Sequence, residues 1–328
     1  MSERDSKAAS AASPLVTIIT PSLNQGEFIE QALASVGGQS FGDVEHLVVD
    51  GGSVDGTLAI LLDSEGVRWI SEPDRGMYDA LNKGLAMAGG EILGYLNCDD
   101  VLTPWAVETA VRAFDANPDA DAVYGDGLTI DASTGKQRLA LVPPFSAHAL
   151  ARSGSLVQPA VFWRRGALER VGGFDADLRF VGDLDYWLRL GRAGRFVRVD
   201  EVLAIERHHD ASLSRAAADR MAAEAARVRN RHQPAGKGTP SGAFVARARA
   251  AAWRRILWVR FLRRVRGAQL VGEPWARFIS EGELTVSPLR VTAMFVPRLG
   301  APFAWDAVVS DRQWFAEEAT SPMPGGTI

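Results

Sequence analysis

Residues 91–100 read Glu-Ile-Leu-Gly-Tyr-Leu-Asn-Cys-Asp-Asp, and Leu102-Thr103-Pro104 follow almost at once. Glu91 to Leu96 is an apolar run of strand length. Asn97-Cys98-Asp99-Asp100 then reads as a turn, and Thr103 with Pro104 predicts a helix N-cap with proline at the first helical position. Two adjacent carboxylates therefore stand between the end of a strand and the start of a helix. Toward the N-terminus the same unit recurs three times. Leu15–Thr20 predicts a strand, Pro21–Gly26 a turn, and Phe28, Ile29, Ala32, Leu33 and Val36 an amphipathic helix. His46–Asp50 is the next strand, leading through a glycine-rich turn to a helix over Thr57–Asp63. Val67–Ile70 and a helix over Gly76–Ala88 complete the series. Short strands alternating with helices imply an α/β fold with a mainly parallel sheet flanked by helices. Ligands in such sheets bind at the carboxyl ends of the strands. Those ends carry Asn24, Asp50, Glu72-Pro73-Asp74 and Asn97 to Asp100.

Downstream the rhythm loosens. Ala122–Tyr124, Ala160–Trp163 and Phe196–Val199 predict strands, and Arg165–Val171 and Asp183–Ala193 helices. The composition turns rich in Ala and Arg beyond Ser214, which places a domain boundary near 213 and makes 214–328 a helical, basic C-terminal extension. Residues 1–13 are Ser/Ala-rich and are expected to be disordered. No internal repeat is visible.

The 328 residues hold 36 Lys and Arg against 40 Asp and Glu, a net charge of −4, which argues against a nucleic-acid partner. The single cysteine, Cys98, excludes an intrachain disulfide and a cysteine-based zinc site. No apolar stretch reaches the roughly 18 residues of a membrane span, and the N-terminus lacks the apolar core of a signal peptide, so the expectation is a cytoplasmic protein. No dinucleotide-binding glycine fingerprint, phosphate-binding loop or nucleophile elbow is present.

Three acidic segments are the candidates for chemistry. Asp99 and Asp100 repel each other when both are ionised, which favours a divalent cation shared with substrate phosphates; the same pair also suits a plain turn at a helix N-terminus. Asp50, delivered to its strand end, could accept hydrogen bonds from a base or ribose, whereas Gly52, Ser53 and Asp55 are explained by helix capping. Asp183 and Asp185 stand in the first turn of a helix, where acids complement the dipole, and either is also chemically able to act as a general base.

Taken in order, Pro14–Val36, Val48–Thr57, Ser71–Asp100 and Gly172–Leu190 strongly resemble the family 2 glycosyltransferases, above all bacterial members that build surface polysaccharides. The resemblance spans about residues 14–214 and implies the GT-A nucleotide-diphospho-sugar transferase fold. It also implies inverting transfer from a nucleoside-diphosphate sugar to a hydroxyl of a glycan or lipid-linked acceptor, with Mn²⁺ or Mg²⁺ as cofactor. Residue by residue, it implies that Pro21 and Ser22 pack on the nucleotide, that Asp50 binds base and ribose, and that Asn82 and Lys83 border the diphosphate. Asn97 takes the first place of the family's D-x-D motif. Asp99 is implied as the metal ligand, with Asp100 beside it and His209 nearby. Asp183 is implied as the catalytic base, and Asp185 as an acid of the acceptor side. Two departures stand out: Asn97 replaces the first motif aspartate, and Gly182 replaces the glutamate that precedes the catalytic aspartate.

Arg247, Arg249, Arg254, Arg255, Arg260, Arg263, Arg264 and Arg266 crowd residues 244–267 among Trp253, Ile256, Trp258, Phe261 and Leu262. Such a segment suits either peripheral contact with an anionic membrane at the inner face of the cell or packing against the catalytic domain or a second copy in a homo-oligomer. Two other functions compete with the transferase: a sugar-nucleotide or carbohydrate-binding module without turnover, and a nucleotidyltransferase, which the absence of a glycine-rich N-terminal signature with a basic residue disfavours.

Overall fold

A computed structural model describes residues 14–134, 137–152, 156–210, 212 and 216–232 together with the short strand Leu284–Thr285. The expectations for residues 1–13, for the linker and basic segment over 233–267 and for the tail lie outside the described residues, save that strand.

The N-terminal half is built as the alternation predicts. Strand β1 (Val16–Ser22), helix α1 (Ile29–Gly37), β2 (Val44–Asp50), α2 (Thr57–Asp63), β3 (Val67–Ser71), α3 (Met77–Met87) and β4 (Ile92–Tyr95) follow one another. β1 pairs in parallel with both β2 and β4, and β2 with β3. β1 and β2 are buried along most or all of their length, as strands covered by helices on both faces must be. Register sets Ser22 beside Asp50 and Asp50 beside Ser71, so three polar side chains share one carboxyl edge.

Beyond β4 come β5 (Val101–Leu102), α4 (Ala106–Ala116), β6 (Ala122–Asp131), β7 (Gln137–Ala140), α5 (Ala147–Arg152), a single 3₁₀ turn (Gln158–Ala160), β8 (Val161–Arg164) and α6 (Arg165–Val171). Helix α7 (Gly182–Ala193), β9 (Phe196–His208), α8 (Ala218–Arg231) and β10 (Leu284–Thr285) complete the described elements. β8 runs antiparallel to its two neighbours, β4 and β6, and so returns β6 to the direction of the first four strands. β9 lies parallel to β6 with a bulge around Asp126 and pairs antiparallel with β5.

Two expectations fail here for a common reason. Thr103 does not cap a helix, because α4 begins at Ala106. Its amide and hydroxyl bond instead to β9, the hydroxyl at 3.0 Å from the Val202 carbonyl. β9 itself runs nine residues past the expected end at Val199, because pairing with β6 and β5 holds it extended. In both cases tertiary pairing overrides the local signal.

Helix α8 begins after the boundary expected at 213, yet it packs on α7, so the compact body runs on through His232. The junction is ionic. Asp185 on α7 is 2% exposed and accepts from Arg189 Nε at 2.7 Å, while His232 Nε2 lies 2.8 Å from its other oxygen. Burial pushes its carboxyl up, but the bonds from His232 and Arg189 outweigh that and hold it below the ordinary carboxylate value. Breaking such a buried pair from one side costs about 3–5 kcal/mol. Asp185→Ala is therefore expected to lower the unfolding free energy by about that amount in a denaturant titration. Because the folded value is depressed, the contribution is complete above the unfolded value of 3.8 and is lost as pH falls through the folded one, so Asp185→Asn should flatten the acid limb of stability.

Candidate active site

The carboxyl edge of β1–β3 forms the first wall. Asp50 is fully buried and points into its own turn: Oδ2 accepts from the Gly52 and Ser53 amides at 3.0 and 2.8 Å and from Ser71 Oγ at 2.7 Å, and Oδ1 from Ser53 Oγ at 2.5 Å. Burial raises its carboxyl and these donors lower it further, to a net value below the ordinary range. Both oxygens are thus committed to shaping the rim. Pro21 and Ser22 are buried beside it, with the Pro21 carbonyl accepting from Cys98 Sγ at 3.3 Å. The two rim loops are cross-bonded. Asn24, at φ 53°, receives the Val54 amide on its side chain at 2.9 Å; its own amide donates to Ser53 Oγ at 2.6 Å, and the Gln25 and Gly26 amides donate to Thr57 Oγ1 and Asp55 Oδ2 at 2.9 and 3.0 Å.

The turn after β4 provides the second wall. Asp99 is part-exposed, and His209 Nε2, just beyond the end of β9, lies 3.2 Å from its Oδ2. The His209 ring rests 4.5 Å from that of Phe28, which brings the end of β9 down onto the start of α1. Asp100 faces the interior instead. Its oxygens accept from the Arg207 amide at 3.0 Å and from Asn97 Nδ2 at 3.3 Å, and burial, then Asp99 and Glu206, push its carboxyl well above the ordinary value. The structure therefore sets Asp100 apart from Asp99 as a strut of the turn. Asn97 is tied to Gln158 Oε1 at 3.1 Å, and Gln158 Nε2 donates to the Tyr95 carbonyl at 2.8 Å.

The third wall carries Asp183, at the start of α7. Tyr78 Oη lies 3.4 Å from Asp183 Oδ1, and burial raises the carboxyl to about 6 against the opposing pull of the helix amides, Tyr78 and Arg229. An aromatic stack explains the dryness: Phe174 lies 5.7 Å from Tyr78 and 4.4 Å from Tyr186, with Tyr95 edge-on at 5.6 Å. A side chain at Gly182 would begin 2.7 Å from the Tyr78 ring, so the glutamate usual at that place has no room here.

Two further expected residues have other partners. Asn82 bonds both ways to the Phe174 backbone, Nδ2 to its carbonyl and Oδ1 from its amide, each at 2.9 Å. It pins the loop before α7. Lys83 pairs with Glu72 Oε1 and the Pro73 carbonyl, both at 2.8 Å, beside the end of β3. Asp185 faces away from the cleft, into the α7–α8 junction described above.

Glu206 on β9 joins the walls. Burial raises its carboxyl to about 7, and the charges of both Asp183 and Asp99 add to the rise. It thus lies within electrostatic reach of both. Glu206 and Gln158 escaped the sequence reading, since neither occupies a motif; only the extension of β9 and the reversal at β8 bring them in. Among the described residues no three His, Cys, Asp or Glu are grouped to hold a metal. Asp99 and His209 form a pair, and a hard divalent ion needs no more protein ligands when phosphate oxygens complete its shell.

The sequence profile described as glycosyl transferase family 2 matches residues 17–163. An uncharacterized glycosyltransferase of Mycobacterium tuberculosis is 35% identical over 182 residues, 54% of this chain and 68% of its own length. A PGL/p-HBAD biosynthesis glycosyltransferase of Mycobacterium bovis is 34% identical over 184 residues, 54% of this chain and 70% of its own. Among solved structures, S. aureus TarS in complex with UDP-GlcNAc superposes with a TM-score of 0.51 at 18% identity, covering 74% of this chain and 66% of that one. Its complex with UDP gives 0.51 at 17% identity, over 78% and 75%. The structural likeness is one of fold, the GT-A arrangement. On the identity and coverage of these relatives, the chain belongs to glycosyltransferase family 2.

Proposed function

We propose that this protein is an inverting glycosyltransferase that moves a sugar from a nucleoside-diphosphate donor to a hydroxyl of a glycan or lipid-linked acceptor in assembly of the bacterial cell envelope. What supports the reading is Asp183, a half-buried carboxylate raised to about 6, whose charge and that of Asp99, paired with His209, both reach Glu206. A base is most effective when its pKa lies near the working pH. A binding module without turnover has no use for a carboxylate held at this cost, which favours the enzyme over that alternative. The M. bovis relative named for PGL/p-HBAD biosynthesis supports the envelope assignment.

Chemically, Asp183 takes the proton of the acceptor hydroxyl as that oxygen attacks the anomeric carbon. The bond from that carbon to the diphosphate breaks on the opposite face, and its electron pair leaves with the nucleoside diphosphate. Asp99 and His209 would hold a divalent cation, which offsets the charge growing on the departing diphosphate. Pro21, Ser22 and the turn that Asp50 shapes supply the nucleotide rim, with Asn97 and Lys83 at its ends.

Asp183→Asn should cut kcat by about 10²–10⁴-fold while calorimetry shows donor binding intact; wild-type turnover in this variant would remove Asp183 from the role. The ionised form is the active one, so turnover should rise with pH and level off above about 6. The same elevation means that ionised Asp183 destabilises the fold above its unfolded value of 3.8, increasingly so up to about 6, so Asp183→Asn should melt higher than wild type at pH 8. Asp99→Ala and His209→Ala should each weaken Mn²⁺-dependent binding of UDP or GDP at least tenfold. Unchanged affinity in both would dismiss the metal assignment.

A further inference from the structure

The polar face of α8 meets the start of α7 at three points. Glu224, Ala225, Val228, Arg229 and His232 fall on one side of the helix, and all but the half-buried Arg229 are buried. His232 holds Asp185, and Arg229 presents its charge to Asp183. Glu224 does something different. Its Oε1 accepts three consecutive backbone N–H groups, those of Arg179, Phe180 and Val181, at 3.1, 2.7 and 3.0 Å; Oε2 accepts from Arg179 again at 3.2 Å.

These amides are those of Val181, the N-cap of α7, and of the two residues before it, and none has a partner inside the helix. The N-cap residue of α7, Val181, has no side-chain acceptor to offer. A buried carboxyl from a different helix, 4% exposed, supplies the missing acceptor. Asp183 is two residues beyond the last of these amides.

We propose that Glu224 is a positioning residue for the reaction: by gathering the amides of residues 179–181 it fixes the turn from which α7 starts, and with it the place of the Asp183 carboxylate in the cleft. The inference rests on Asp183 being the base. Asp183 lies 3.4 Å from Tyr78 Oη of α3 and within electrostatic reach of Tyr95 of β4, Glu206 of β9 and Arg229 of α8, and loosening the turn would shift it relative to all four. A misplacement of about 1 Å in a catalytic group costs up to roughly 10²-fold.

Glu224→Asp withdraws the carboxyl by one methylene, whereas Glu224→Gln keeps an acceptor oxygen in reach. Each would be assayed with whichever of UDP-glucose, UDP-GlcNAc, GDP-mannose and dTDP-rhamnose the wild type turns over fastest. Glu224→Asp is expected to lower kcat at least tenfold with donor KM changed less than twofold. The acid limb of its pH profile should move below about 6 as Asp183 gains solvent. Amide exchange at residues 179–181 should quicken in parallel, and Glu224→Gln should restore all three readouts toward wild type. Wild-type kcat, acid limb and exchange in a folded Glu224→Asp would overturn the proposal. If that variant does not fold, Glu224→Gln decides: near-wild-type kcat and acid limb uphold it, and a tenfold loss with unaltered exchange overturns it. Turnover retained by Asp183→Asn would instead defeat the underlying assignment of the base.

Discussion

A carboxylate half withdrawn from water tolerates no slack around it, and the architecture of this protein converges on holding one such group. Asp183 stands beside Tyr78, which stacks with Phe174 and, through it, Tyr186. A dry carboxylate is destabilised unless the surrounding backbone is fixed well enough to give it oriented dipoles. Three separate elements do the fixing. Asn82 on α3 pins Phe174, Arg189 on α7 reaches back to the Val171 and Gly173 carbonyls at 2.6 and 2.7 Å, and Glu224 on α8 gathers the amides at the helix start. The loop 172–181 has no regular structure of its own, yet it is tied from three sides.

This arrangement gives several polar residues structural roles that their motif positions do not announce. Asn82, Asp100 and Asp185 all occur in or beside stretches resembling the family's functional motifs, and each makes hydrogen bonds within the protein. Asp99, by contrast, keeps an oxygen 3.2 Å from a histidine at the cleft wall. Of two adjacent aspartates in one turn, one faces inward and the other outward. The inward one is the better buried and the less able to ligate an ion.

What was legible in the sequence followed from local physics. The strand and helix series from Val16 to Met87 was visible because its apolar periodicity is strong and its turns are rich in glycine and proline, and α2 and α6 fall at their expected limits. The acids at the strand ends were visible for the same reason, since a parallel sheet places its strand ends on one edge. The remainder depended on pairing between distant residues. The length of β9, the diversion of Thr103 to β9, and the entry of Gln158, Glu206 and Glu224 into the site each involve partners at least 40 positions away in sequence. No window along the chain contains both halves of such a contact.

If the rim holds the donor, as proposed, its cross-bonding has a bearing on how donor preference can change. Asn24, Gln25 and Gly26 on one loop and Ser53, Val54, Asp55 and Thr57 on the next share four hydrogen bonds, each pairing a backbone amide with a side chain of the opposite loop. Neither loop keeps its shape alone. Grafting a single loop from a relative of different selectivity would strand half of those partners, so inheritance, and any engineering, must treat the two as one exchangeable block.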